Sequence, residues 1–344
     1  MKSILPLMMA ILIVSTAEAR VLRYGFAGSS YYAGTAVTNF DYTTASALLA
    51  AANNGDTVQV YPGAPQVTLT KRLVFIGSGY YTSGSSSNTN LQVVPQASLN
   101  VILQAGGNGS VFIALLITTS TPTSATVENI VFRNCRFSTS GLSLGTSSIA
   151  RNWQILRCAE VDFGGSTGSR FENLIIENSL IENSSFINNT STGTITNCVF
   201  NGTINFANAA VVVRNSVFTV ASTTTPANYI ACSFTNCLFE RTAASLPGLT
   251  GTANQFSINP NDVFVAFSSN PNNLALDNRF VLKQNSPAIG AGIGGVDCGI
   301  FGGPNPYKLS GLSTAPTIYK LTSSSPQASG STYTITFSAR SNGQ

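Results

Sequence analysis

The chain has 344 residues, of which 43% are hydrophobic and only 9% charged, and its formal net charge is +4. It contains no His, which excludes every Ser-His-Asp triad and removes the commonest zinc ligand. The Lys and Arg residues are scattered along the chain rather than clustered, so no nucleic-acid partner is predicted.

The N-terminus has the pattern of a secretory signal peptide. Met1-Lys2 gives a positive start, residues 4–14 form an apolar run, and Ala17-Glu18-Ala19 offers a small-x-small cleavage site. A signal peptide over 1–19 and an extended leader over 20–40 are therefore predicted. No later apolar run reaches the roughly 18 residues of a membrane span. We expect a protein that is exported, secreted or held at the cell surface, and not membrane-spanning.

A short helix and two strands are predicted next. Asp41-Tyr42-Thr43-Thr44 supplies N-cap candidates for a short helix, with an Ala/Leu-rich run over 45–52. Within residues 55–63, Val58 and Val60 alternate with polar residues before a Pro-Gly turn, and residues 71–79 form a second strand that ends in glycines.

A four-residue phrase then recurs through residues 128–240: Asn, a small Ser or Cys, any residue, and a large apolar residue. Its copies begin at Asn134, Asn178, Asn197, Asn215 and Asn236. Arg157-Cys158-Ala159-Glu160 stands where another copy is due and keeps only the Cys. The six starts lie 23, 21, 19, 18 and 21 residues apart. A period near 20 residues indicates a solenoid in which each repeat is one coil.

Each phrase predicts a strand whose small and large apolar residues share the inner face, because residues two apart point the same way. Stacking on the next coil buries that face. The leading Asn tolerates the left-handed conformation of a bend, and Asn at equal phase predicts a ladder of stacked amides. A β-sandwich is the alternative, but Asn201-Gly202 is the one Asn-Gly turn signal in the stretch. We therefore favour stacked parallel coils.

Most of the six Cys residues are predicted to be buried free thiols. Four of them occupy the phase at which Ser179 and Ser216 also occur, and exchange of Ser for Cys at one phase favours packing. A disulfide between Cys232 and Cys237 is the alternative in an exported chain, and the sequence leaves it open. Cys298 stands apart from the others.

One dense charged region contains the candidate catalytic residues Glu160, Asp162 and Arg157. On a strand, Glu160 and Asp162 would share a face about 7 Å apart. Two such carboxylates can flank a glycosidic bond as acid and base. A charged, solvent-exposed coil face is the alternative that we favour.

Contact with carbohydrate is predicted for the same region. The candidate residues are Arg133, Arg136, Trp153, Glu172, Glu177 and Glu182. An Arg can bind an acidic sugar through two hydrogen bonds. Trp153, Tyr31-Tyr32 and Tyr80-Tyr81 are placed outside the core phase, where they could stack on sugar rings. Neither Asp-Asp nor Asp-x-Asp occurs, so no metal or cofactor is predicted and a calcium site has no support.

Both ends of the repeat region resemble a known group. The Gly-Asp-Thr-Val-Gln-Val-Tyr-Pro-Gly run (55–63) and the Lys-Arg-Leu-Val-Phe-Ile-Gly-Ser-Gly run (71–79) resemble the opening of secreted right-handed parallel β-helix proteins. This is the pectate-lyase-like group, and in particular its uncharacterised surface and secreted members of the Bacteroidetes type. The Ser-Pro-Ala-Ile-Gly-Ala-Gly run (286–292) and residues 297–303 are similar to its ending. The resemblance implies a helix that caps one end of the coils, and a fold rather than a chemistry.

The predicted fold is all-β: a right-handed parallel β-helix solenoid over 41–305, including a short N-terminal capping helix and a C-terminal cap. A small β appendage or tail follows over 306–344. The favoured function is an exported, non-catalytic protein that binds polysaccharide or cell-surface glycan along its lateral face. The alternatives are a degenerate or unusual polysaccharide lyase or glycoside hydrolase that uses residues 160–182, and a purely structural spacer.

Overall fold

A computed structural model describes most of the chain after the predicted signal peptide. The described residues are 19–25, 40–64, 66–80, 96–138, 141–165, 168–183, 191–202, 206, 209–219, 232–246, 248–268 and 275–311, together with strand backbones at 30–32, 35–36, 317–323 and 335–340. The predicted signal peptide lies outside these residues except for its last position.

Parallel strands stack into three sheets, which confirms the predicted parallel β-helix. The long sheet runs in the order Val21–Tyr24, Thr57–Val60, Val74–Ile76, Val111–Ile113, Val131–Arg133, Gln154–Leu156, Leu174–Glu177, Thr192–Thr196, Ala210–Arg214, Ser233–Thr235 and Thr250–Thr252. Its first strand falls within the predicted leader.

The second sheet runs in the order Val67–Leu69, Ser98–Leu103, Leu116–Pro122, Leu142–Leu144, Val161–Gly165, Leu180–Asn183, Val199–Phe200, Val217–Phe218 and Leu238–Phe239, and Arg136–Phe137 also pairs with Leu116–Pro122. The short sheet contains Thr126–Glu128, Ile149–Arg151 and Arg170–Glu172. Antiparallel pairs join Ser30–Tyr32 to Thr35–Ala36 and Thr317–Ser323 to Ile335–Arg340. The last pair is the predicted C-terminal β appendage.

The predicted capping helix is α1, Ala45–Ala51. Thr44 caps its first turn by accepting a hydrogen bond from the Ala47 N–H, and Leu48 is buried in the core. Two further helices, α2 (Pro260–Val263) and α3 (Leu276–Arg279), come after the last coil. Four 3₁₀ turns lie at Ala105–Gly107, Ala243–Ser245, Ile293–Gly295 and Leu309–Gly311. No helix in the described part of the chain is long and apolar enough to cross a membrane.

One bend of the coil carries the repeated phrase, and its first residue is left-handed in every copy. We call these residues, together with Ala114 and Ala253 at the same bend of the flanking coils, the bend row. Their φ angles lie between +48° and +56°: Ala114, Asn134, Arg157, Asn178, Asn197, Asn215, Asn236 and Ala253. Each residue from Ala114 to Asn236 donates its N–H to the last strand residue of the next coil, as Asn178 does to the Thr196 carbonyl at 3.1 Å. The predicted role of Asn at a bend is confirmed.

The small and large residues of the phrase point into the core. Phe200, Phe218, Phe239 and Phe256 stack in sequence with ring centroids 4.4, 4.6 and 5.4 Å apart. All six Cys residues are buried free thiols, so the predicted packing role is confirmed and Cys232 and Cys237 are not joined. The hydroxyl of Ser179 donates to the Glu177 carbonyl at 2.8 Å, and a thiol donates in the same way at the Cys positions. This shared hydrogen bond explains why Ser and Cys exchange at one phase.

The third residue of the phrase, which the sequence left unrestricted, is apolar and points outward in five copies. These residues are Ala159, Leu180, Val199, Val217 and Leu238. They form a second apolar cluster with Phe264, Phe280, Ile300 and Tyr307 of residues 258–311. We call the described residues of this stretch, 258–268 and 275–311, the C-terminal segment. It covers the outside of the coils and supplies the apolar partner for that face.

The C-terminal segment runs back along the bend row, against the order of the coils. Its hydrogen bonds from the Asn amides reach Ala291 from Asn236, Asp297 from Asn197, Ile300 and Gly302 from Asn178, and Gly311 from Asn134. The predicted asparagine ladder is present here, with Asn215 donating to the Asn197 side chain at 3.4 Å. Most of the other amides in the row bond to the C-terminal segment instead of to each other.

A second ladder lies at another bend. Asn152 donates its amide to Asn129 at 3.1 Å, and Asn173 donates to Asn152 at 2.9 Å. All three residues are left-handed and solvent-accessible. We call them the outer ladder. They open a second phrase, Asn followed by a large apolar residue, which lies outside the predicted repeat.

Candidate binding pocket

A pocket of about 290 Å³ lies between the edge of the long sheet and the C-terminal segment. Its lining residues are Arg133, Leu156, Arg157, Glu177, Asn178 and Asn305. Five of them come from three successive coils, and Asn305 comes from the C-terminal segment. Three of the predicted site residues, Arg133, Arg157 and Glu177, therefore meet in one place.

The repeat itself brings these residues together. Arg133, Leu156 and Glu177 occupy the same register position on adjacent strands of the long sheet. Neighbouring strands lie roughly 4.8 Å apart, so side chains some 20 residues apart in sequence become neighbours. Arg157 and Asn178 follow at the bend. The pocket is thus a local variation in the side chains of a regular surface.

Arg157 departs from the pattern of the bend row. Its φ is +55°, a conformation that Asn adopts at low cost and that Arg adopts at a cost of about 1 kcal/mol. Its Nε donates to the Asn134 Oδ1 at 2.9 Å, the kind of bond that an Asn amide makes in a ladder. The guanidinium thus replaces an amide and adds a positive charge at the pocket.

The two arginines of the pocket repel each other. Burial lowers the pKa of the Arg157 guanidinium, and the charge of Arg133 lowers it further, while the nearby Glu177 carboxylate partly compensates. Within the described part of the chain, neither Arg133 nor Glu177 forms an ion pair. An anion between the two guanidinium groups would relieve their repulsion through charge-assisted hydrogen bonds. Glu177 could accept a hydrogen bond from a neighbouring hydroxyl.

The other candidate acids lie elsewhere, and the assumed geometry of Glu160 and Asp162 is wrong. Glu160 is left-handed, with φ +48°, and precedes the strand Val161–Gly165 that carries Asp162. The two residues therefore do not share a strand face. Glu160 forms an ion pair with Arg136 at 2.5 Å, and Asp162 is buried.

Glu182 lies near this pair. Burial raises the pKa of its carboxyl, and the hydrogen bond that Asn201 donates at 3.2 Å lowers it. The charges of Glu160 and Asp162 raise the pKa, while that of Arg279 lowers it. Glu172 is in a third place, on the short sheet, with Arg151 2.8 Å and Arg170 2.7 Å away. Hydrogen bonds from Arg151 and then Arg170 lower the pKa of Glu172. None of these acids lines the pocket.

Trp153 is fully buried, so its prediction as a sugar-stacking surface residue is wrong. Its Nε1 donates to the Val127 carbonyl at 2.9 Å, and its ring packs between Phe132 and Phe171. It follows the left-handed Asn152 as Ile130 follows Asn129, and both side chains point inward.

Tyr80 is also buried, and its hydroxyl lies 2.6 Å from that of Tyr307. The side chains of Tyr31, Tyr32 and Tyr81 lie outside the described residues. Stacking on sugar rings is therefore wrong for Trp153 and Tyr80, and it stays a prediction for the other three tyrosines.

The sequence does not predict Leu156, Asn178 or Asn305 as site residues. It predicts Asn178 as a bend residue only and places Asn305 in the C-terminal cap. No local signal identifies Asn305, because its contact with the coils joins residues more than 100 positions apart. Among the described residues, no three His, Cys, Asp or Glu side chains come together as metal ligands.

The chain is similar to the crystal structure of pectate lyase Pel9A, with 15% sequence identity and a TM-score of 0.41. The match covers 79% of this chain and 91% of that chain. No protein-family model and no curated protein matches the chain.

Proposed function

We propose that this protein is an exported, non-catalytic protein of the cell surface or extracellular space that binds an anionic polysaccharide along its lateral face. The pocket of Arg133, Arg157 and Glu177 would hold an acidic group of the glycan. The single observation that carries this proposal is Arg157 in a left-handed position that Asn fills in most other coils. Its strained backbone lowers the stability of the fold, and strained residues of this kind cluster at functional sites.

The electrostatics of the pocket favour a carboxylate or sulfate that is attached to a sugar. Two guanidinium groups on adjacent coils provide several N–H donors, and Arg157 is half-buried, where hydrogen bonds to charge are stronger than in water. Glu177 adds an acceptor for a hydroxyl. The surrounding outer face of the sheet is long and regular, as contact with a polymer requires.

The test is calorimetric titration of the full-length mature protein with pectic, alginate and neutral polysaccharides. We expect saturable binding to at least one acidic polymer and none to the neutral ones. Arg157→Asn should weaken that binding at least tenfold, because a charge-assisted hydrogen bond is worth about 1.5–3 kcal/mol. Asn suits the backbone at this position, so the loss would not reflect unfolding.

Arg214→Asn is the matched control. Arg214 is exposed on the same sheet face and carries the same charge, but it does not line the pocket. Its loss should change affinity no more than about threefold, the scale of an exposed charge. Equal losses of affinity in both variants would mean that the polymer is attracted to basic residues in general and does not bind in the pocket.

Catalysis by residues 160–182 is the second candidate, and Glu182 is the observation that favours it. A carboxyl with a raised pKa beside two other carboxylates is the pattern of a general acid. Incubation with the same polymers, followed by assays for reducing ends and unsaturated ends, tests this candidate. Turnover that Glu182→Gln or Asp162→Asn abolishes would establish an enzyme and overturn the non-catalytic proposal. If neither binding nor turnover is found, the protein is a structural spacer.

A further inference from the structure

The wall of the pocket that carries Asn305 is anchored on both sides. Before Asn305, the Asn178 amide donates to the carbonyls of Ile300 and Gly302 at 2.9 and 2.7 Å. Asn178 is buried and belongs to the coils, whereas both acceptors belong to the C-terminal segment. One side chain therefore lines the pocket and also holds its opposite wall.

After Asn305, a buried polar network forms the second anchor. The Tyr307 hydroxyl donates to Asp277 at 3.1 Å and meets the hydroxyl of Tyr80. The Ser310 N–H donates to the same Asp277 oxygen at 2.7 Å. Tyr80 follows a strand of the long sheet, so this network ties the C-terminal segment to an early coil. Residues 300–310 thus span one side of the pocket between two fixed points.

A third contact links this stretch to the pocket charge. The Oδ1 of Asn134 accepts from the Arg157 Nε at 2.9 Å, and the Nδ2 of Asn134 donates to the Gly311 carbonyl at 3.4 Å. The orientation of Arg157 and the docking of Gly311 therefore depend on one amide group.

We infer that ligand occupancy of the pocket and docking of residues 300–311 are thermodynamically linked, with Asn134, Asn178 and Tyr307 as positioning residues. This inference rests on the proposed function. A ligand that contacts both walls binds the docked state better than an undocked one, so it shifts the population toward docking. By the same linkage, a change that depopulates the docked state lowers the apparent ligand affinity in proportion to the docked fraction that remains.

Hydrogen exchange of the full-length protein tests the linkage, with trigalacturonate as the probe. At saturation, the amides of residues 300–311 should exchange at least about fivefold more slowly, the lower range of such couplings. Residues 291–297, which bond to Asn197, Asn215 and Asn236 away from the pocket, serve as the internal control and should not change. Bound trigalacturonate with unchanged exchange at 300–311 would overturn the linkage and leave the proposed function standing. Absence of binding by the probe and by the acidic polymers would overturn both.

Two variants separate linkage from general destabilisation. Tyr307→Phe removes the hydroxyl that joins Asp277 to Tyr80 without altering any residue that lines the pocket, and by lowering the docked fraction to about one fifth it should weaken trigalacturonate binding about fivefold. Asn236→Ala removes a bond to the C-terminal segment far from the pocket, and it should leave affinity within about twofold while also lowering the Tm. Wild-type affinity in Tyr307→Phe, or equal losses in both variants, would contradict the role of this wall.

Discussion

Asparagine is left-handed at two bends of the coil, and its side chain meets different partners at each. In the outer ladder, Asn152 and Asn173 donate to the amide of the preceding coil near solvent. In the bend row, Asn178 is buried and donates to two carbonyls of the C-terminal segment. Asn suits the left-handed backbone at both bends. The bends differ in whether the C-terminal segment covers the Asn side chain.

This difference shows what each bend contributes. The outer ladder needs only its own repeat, so it is a local device that adds a small gain per coil. The bend row joins residues about 100 positions apart, as in the bond from Asn197 to the Asp297 carbonyl at 2.9 Å. The bend row therefore stabilises the whole fold, and the pocket of Arg133, Arg157 and Glu177 forms beside it.

The largest effect is expected from Asn178→Ala. The change removes two buried hydrogen bonds worth about 1 kcal/mol each and places Ala in a left-handed position that costs about 1 kcal/mol more. We expect the free energy of unfolding to fall by about 3 kcal/mol in urea denaturation. Asn178→Gly should recover only the backbone part of this loss. Full recovery by Gly would mean that the bonds to the C-terminal segment contribute little.

A smaller loss of stability is expected in the outer ladder, and there substitution by Gly should be almost fully tolerated. Asn152→Ala should cost about 1 kcal/mol, mostly from the left-handed backbone, since its amide bonds lie near water. Asn152→Gly should be within about 0.5 kcal/mol of wild type, because Gly adopts that conformation freely. A loss in Asn152→Gly as large as that in Asn178→Gly would remove the distinction between the two rows.

A gain in stability is expected at Arg157, the one position of the bend row between Asn134 and Asn236 that is not Asn. Arg157→Asn restores a residue suited to φ +55° and relieves the repulsion with Arg133, so stability should rise by about 1 kcal/mol. Thermal unfolding should show a higher Tm for the variant, with Arg157→Lys, which keeps charge and strain, near wild type. A lower Tm in Arg157→Asn would mean that Arg157 serves stability and not the pocket.

The parts of the fold that the sequence predicted are those encoded within one coil. The period, the left-handed Asn, the inward Cys or Ser and the capping helix all depend on neighbours within about 20 residues or on the same position of the next coil. Trp153 was misplaced although the signal existed. Asn129-Ile130, Asn152-Trp153 and Asn173-Leu174 repeat at one phase, and the second residue is buried each time.

The parts that the sequence did not predict depend on the C-terminal segment. The local sequence does not show that Val199 and Val217 face outward into the cluster that contains Phe264 and Ile300. A strand with apolar residues on both faces is equally consistent with burial between two layers. The pocket shares this limit. Arg133, Arg157 and Glu177 were recognised from their charge, whereas Asn305 joins them only through tertiary packing.

The smallest expected effect is the pH dependence of stability. It differs between Glu182, whose carboxyl is largely buried, and Glu172, whose carboxyl is near solvent. Burial raises the pKa of Glu182 in the folded state above its ordinary value of 4.5, so the folded protein binds a proton more tightly there than the unfolded chain does. Its contribution to stability is therefore present at acidic pH and lost as pH rises through the raised pKa. Glu172, whose pKa hydrogen bonds from Arg151 and Arg170 lower, contributes in the opposite sense and loses its contribution as pH falls below 4.5.

Urea denaturation between pH 3 and 8 should thus show a stability profile that Glu182→Gln raises at neutral pH and leaves nearly unchanged at the acidic end. Glu172→Gln should lower stability at neutral pH slightly, because exposed ion pairs contribute little. If Glu182→Gln destabilised the protein at neutral pH, its carboxylate would be ionised and paired in the folded state. The site of Glu182 would then tolerate a negative charge as readily as the site of Glu172 does.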